Sequence, residues 1–107
     1  MEGFCEREEY DVGDFVACVY DSHWYLGKVK QKDEVHYFVD FMMRQNAYST
    51  LFDWPRPKDL LWLQGEDILG QTCPPEASSR GTTRTMANGK LLPAHVVAAI
   101  EKKFYAI

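Results

Sequence analysis

Residues 12–42 read VGDFVACVYDSHWYLGKVKQKDEVHYFVDFM, and their spacing decides the fold class. Phe15 to Tyr20 follows the turn signal Val12-Gly13-Asp14 and is rich in aromatic and β-branched residues, which predicts a first strand. Asp21-Ser22-His23 turns the chain. Trp24 to Lys30 then puts Tyr25, Gly27 and Val29 on one face and Trp24, Leu26, Lys28 and Lys30 on the other, with Gly27 where curvature needs room. After a hairpin through Gln31, Lys32, Asp33 and Glu34, Val35 to Met42 alternates again, Tyr37, Val39 and Phe41 against His36, Phe38, Asp40 and Met42. The three runs form a meander.

Outward from this stretch the signals change. Met43 to Asp59 combines polar Arg44-Gln45-Asn46 with Phe52, Trp54, Pro55 and Pro57, large aromatics beside breakers, and reads as an ordered loop. Leu60 to Leu63 is a fourth strand, and Asp67-Ile68-Leu69 a fifth strand or a single helical turn. Five short strands in this span suit a small closed barrel, with Val16, Cys18, Val29, Val39, Leu61 and Ile68 in its core. Glu76 to Lys90 has almost no apolar residues and reads as a linker. Leu91 to Phe104 reads as an amphipathic helix with Pro93 in its first turn, an apolar stripe of Leu92, Val96, Val97, Ile100 and Phe104, and Lys102 and Lys103 suited to the dipole of its last turn. The expected organisation is an acidic extension 1–9, a barrel 10–75, a polar linker 76–90 and a helix 91–107.

The chain has 107 residues, 46% hydrophobic and 26% charged, which is the balance of one folded domain and excludes a two-domain enzyme. It has neither the apolar run of a membrane span nor the basic start of a signal peptide, so an intracellular protein is expected, with no membrane partner. Three widely spaced cysteines, Cys5, Cys18 and Cys73, read as free thiols. The net charge of −4 is uneven: residues 1–14 carry Glu2, Glu6, Glu8, Glu9, Asp11 and Asp14 against Arg7, while the C-terminal third is basic. Such a body argues against binding a phosphate backbone, the few basic groups beside Trp24 (Lys28 and Lys30) notwithstanding, and suits a cationic partner.

Catalysis finds no support in the residues. His23, His36 and His95 are scattered over a turn, a strand and the helix, the glycines form no phosphate loop, and no cofactor or metal is implied. The fifteen aromatic residues are the informative feature, because a small barrel core does not hold them all. Tyr20, Tyr25 and Phe41 fall at strand ends that a meander brings to one rim. There they either plug the barrel end or offer ring quadrupoles to a methylated ammonium or guanidinium, worth about 0.5 to 2 kcal/mol per contact, with Asp21 or Asp40 adding Coulomb attraction.

The segments Val12-Gly13-Asp14-Phe15-Val16-Ala17, Trp24-Tyr25-Leu26-Gly27-Lys28-Val29 and Val39-Asp40-Phe41-Met42 resemble the Tudor-like family of the Royal superfamily over about 60 residues. The resemblance implies a five-stranded SH3-like barrel that reads methyl-lysine or methyl-arginine on histones or RNA-associated proteins, in the nucleus. It carries the family's cage aromatics onto Tyr20, Tyr25 and Phe41. Where such domains often have a further aromatic and an Asn after the third strand, this chain has Met42, Met43 and Arg44; either Phe52, Trp54 or Tyr48 supplies the fourth wall, or the 43–59 loop folds across the cage and closes it. The competing expectation is an assembly domain in which the barrel and helix 91–104 mediate oligomer contacts or dock a partner without methyl recognition.

Overall fold

The structure, a computed structural model, describes residues 3–46, 49–55, 57–77 and 90–106. It is mainly β with one C-terminal helix. The meander is present: β2 (Phe15–Tyr20), β3 (His23–Lys32) and β4 (His36–Phe41) pair antiparallel in sequence. Asp21 and Ser22 join β2 to β3 with φ of 51° and 66°, the left-handed pair of a two-residue hairpin whose twist matches the strands. β7 (Leu60–Gln64) pairs with β4, a 3-10 turn (Gly65–Asp67) follows, and β8 (Ile68–Thr72) returns to pair with β2.

Two features depart from the expected barrel. β1 (Phe4–Cys5), inside the stretch read as an acidic extension, pairs with β8, so the main sheet has six strands in the order β1-β8-β2-β3-β4-β7 and its two ends do not meet. Among the described residues the sheets therefore do not close into a barrel. The loop Met43 to Asp59 also contains strands, β5 (Met43–Arg44) and β6 (Leu51–Asp53). They join β9 (Glu76–Ala77) and β10 (Lys90–Leu91), the two ends of the expected linker, in a second sheet ordered β5-β6-β10-β9. Positions 78–89 of that linker lie outside the described residues. Because Leu91 is a strand residue, α1 spans Ala94–Tyr105 and Pro93 stands at its N-cap.

This arrangement covers both faces of the meander. On one face Val16, Cys18, Val29, Tyr37, Val39, Phe41, Leu63 and Ile68 form a cluster, with Tyr10 across it and Leu61 partly buried against it. On the other face Ala17, Leu26, Met42 and Leu69 pack under Phe52 of β6, Leu92, and Val96, Val97 and Ile100 of α1. The apolar stripe of the helix is thus buried on its own sheet, where it stabilises the chain by about 1.5–3 kcal/mol per fully covered side chain. An oligomer contact through that stripe would require undocking it. Lys103 fixes the far end of the helix by donating to the Leu69 carbonyl at 2.7 Å and pairing with Glu6. No helix among the described residues is long and apolar enough to cross a membrane.

Two glycines are required by close approach. A Cβ at Gly27 would collide with Val39 and lie 3.1 Å from the Asp40 carbonyl, and one at Gly70 would lie 2.8 Å from the Cys5 carbonyl. Val39→Asp places a charge at a position with no solvent exposure and is expected to unfold the chain, a loss of several kcal/mol seen as collapse of the melting transition. Ser22→Gly relieves a left-handed non-glycine residue and is expected to raise stability by about 0.5–1 kcal/mol in urea titration.

Candidate functional site

The register places the three rim aromatics. Cys18 lies opposite Tyr25, Tyr20 opposite His23, and Gly27 opposite Phe41, so Tyr20, Tyr25 and Phe41 share the face of the Val16 and Val39 cluster. Tyr25 and Phe41 meet edge to face with ring centroids 5.5 Å apart. Phe41 is only 3% exposed, whereas Tyr20 is 49% exposed and makes no ring pair among the described residues. Asp21 is exposed in the hairpin turn, where its carbonyl accepts a hydrogen bond from His23 Nδ1 at 2.8 Å. The rim therefore offers one half-buried ring, Tyr25, backed by Phe41, and one free ring beyond it.

The other expected residues lie on the opposite face. Phe52 is 1% exposed and packs on Trp24 at 6.0 Å over Leu26 and Met42, so it forms core and not a cage wall. Trp54 follows β6 and sits 6.5 Å from Phe15. Asp40 is on this face too, between Lys28 and Leu60 in the cross-strand row, because residues directly opposite on paired strands project to the same side. Tyr48 lies outside the described residues.

Trp54 and Asp40 line one cavity of about 770 Å³, together with Asp53, Pro55, Pro57, Lys58 and Lys90. Asp40 is 6% exposed, and its Oδ1 is buried with no hydrogen-bond partner among the described residues. A buried acceptor left unmatched costs about 1–3 kcal/mol, and structures rarely carry one without a reason. Lys28, the cross-strand neighbour, instead holds its Nζ 5.4 Å from the Phe15 ring centre. Neither Lys58 nor Lys90 makes an ion pair among the described residues. The cavity is thus lined by an indole, the carboxylates of Asp40 and Asp53 and two cations.

Arg44 was not legible as a site residue. Its guanidinium stands 4.9 Å from the Trp24 ring and 5.8 Å from the Phe52 ring, its Nε donates to the Ser49 carbonyl at 2.6 Å, and its Nη1 reaches Glu101 of α1 at 3.4 Å. This is an aromatic and carboxylate box filled by the chain's own cation. It links β5 to the helix, and nothing in local spacing announces a contact between positions so far apart.

Among the described residues no group of three or more His, Cys, Asp and Glu side chains is placed to hold a metal. Burial pushes the Cys18 thiol up, with Asp67 adding to the effect, so Cys18 is held as the neutral thiol. Asp33 is held below the usual carboxylate range by the Val35 and His36 backbone N–H groups, which makes it a turn residue. Asp40→Leu removes the unmatched acceptor and is expected to stabilise the chain by about 1–3 kcal/mol, read as a raised melting temperature. An unchanged or lowered value would mean that the carboxylate finds a partner in solution. Comparison of the chain with family models, with curated proteins and with solved structures finds no match.

Proposed function

We propose that this chain is a non-enzymatic binding module, Tudor-like in character, that takes a methylated lysine or arginine side chain of a protein tail in the cavity between β4 and the segment after β6. The observation that carries this reading is that Asp40, whose Oδ1 is buried and unmatched among the described residues, lines one cavity with the Trp54 indole. The three segments that resemble Tudor-like domains fall on consecutive paired antiparallel strands, which supports the family reading.

The chemistry follows from what methylation does. It enlarges the cation, spreads its charge and removes hydrogen-bond donors, so a ring face becomes its best partner and a carboxylate nearby adds Coulomb attraction. Trp54 supplies the face and Asp40 the charge, while Pro55 and Pro57 wall the cavity without competing donors. Lys58 and Lys90 favour a tail with an acidic residue beside the methylated one. The Tyr25 and Phe41 pair, with Tyr20 beyond it, is the alternative seat for the same cation.

Titration of the full chain with trimethyl-lysine and dimethyl-arginine peptides, followed by tryptophan fluorescence, separates these seats. Binding is expected in the micromolar range, on the order of −6 to −8 kcal/mol. Trp54→Ala is expected to weaken it roughly 2- to 30-fold, the worth of one ring contact, and Tyr25→Leu to leave it unchanged. Weakening by Tyr25→Leu with Trp54→Ala neutral would move the site to the rim. Absence of any response at millimolar peptide would contradict methyl recognition altogether.

A further inference from the structure

β7 ends the six-stranded sheet, and one of its two edges is unpaired among the described residues. Phe41 N–H donates to the Asp59 carbonyl at 2.8 Å, so Asp59, Leu61 and Leu63 turn their backbone groups toward β4. Leu60, Trp62 and Gln64 therefore turn theirs outward, because strand residues alternate. Proteins ordinarily guard such an edge with charge or proline. The strand LLWLQ has neither, and it exposes Leu60 at 37% and Trp62 at 45%, with Trp62 stacked 5.0 Å from Phe38 to widen the apolar surface.

We propose that this edge is a self-association surface, where β7 pairs antiparallel with β7 of a second copy across a two-fold axis at Trp62. The charge pattern of a symmetric pairing selects a second copy over a foreign strand. Trp62 is one of the outward-facing residues, so the axis makes a reciprocal hydrogen-bonded pair of Trp62 with itself and sets Leu60 against Gln64 on both sides. The same axis brings Lys58, just before β7, alongside exposed Glu66 of the second copy, in the 3-10 turn just after it. An axis two residues earlier along the strand would put Lys58 against Trp62 instead, and the charge match would be lost. The tryptophans and leucines of the two copies then cover one another, and the two sheets become continuous. This inference does not rest on methyl recognition: it uses the β7 edge, and it shares only Lys58 with the Trp54 cavity.

Sedimentation equilibrium of the full chain from micromolar to millimolar concentration is expected to show a reversible dimer. Trp62→Lys is expected to reduce the apparent mass to the 12.4 kDa of one chain while leaving the circular dichroism unchanged. Cross-linking reads the register directly and does not depend on that variant folding. In a Cys5→Ser background, Trp62→Cys is expected to oxidise to a disulfide-linked dimer, because Cα atoms of a hydrogen-bonded antiparallel pair lie about 5.5 Å apart, within disulfide range. Gln64→Cys, facing Leu60, is expected not to. A chain that is monomeric at every concentration overturns the proposal, as does a folded Trp62→Lys dimer or equal cross-linking at both positions.

Discussion

The β2–β3–β4 sheet is apolar on both faces, and the rest of the structure is arranged to cover the second one. Ala17 and Leu26 are fully buried and Met42 nearly so, yet they project away from the Val16 and Val39 cluster. A lone meander would expose them. The chain answers by leaving β4 through Met42, whose N–H donates to the Leu26 carbonyl, and folding β5 and β6 back across that face. β10 extends this cover and delivers Leu92 and then α1, whose Val96 and Ile100 finish it. Lys103 and Arg44 fasten the helix at polar points where apolar packing alone leaves its position free.

The cover stops at Trp54. Beyond it the outer face carries Asp40, then Leu60, Phe38 and Trp62 toward the β7 edge. A sheet optimised only for stability would place an apolar residue at position 40, where the carboxylate Oδ1 is buried without a hydrogen bond among the described residues. Its retention beside an indole, in a cavity large enough for a side chain, is the structural basis of the proposed recognition. The same incomplete cover leaves the β7 edge open to a second copy.

The sequence made the meander legible because alternation with a period of two survives in β3 and β4, where Tyr37, Val39 and Phe41 face inward together. The short strands were not legible. β1, β9 and β10 span two residues each, too few to carry a period, and they exist because Phe4 meets Thr72 and Lys90 meets Phe52 across the chain. Leu91 fits the apolar stripe of a helix as well as a strand, so the periodicity alone starts the helix too early. Phe52 is one of three candidates the sequence offers for the fourth wall, yet the second sheet puts it over Leu26, on the face away from Phe41. Of the candidate site, the residue types were readable and the faces were not. Asp40 and Trp54 converge only because the loop after β6 folds along the sheet.

The most direct measurement is the response of the three indole N–H resonances, from Trp24, Trp54 and Trp62, when the full chain is titrated with tetramethylammonium, the methylated cation stripped of its peptide. The Trp54 resonance is expected to shift in a saturable manner together with the Asp40 amide, while Trp24, already committed to Arg44 and Phe52, stays in place. A titration in which the Trp54 resonance and the Asp40 amide do not move, or in which only the amides of Tyr20, Tyr25 and Phe41 respond, would contradict it.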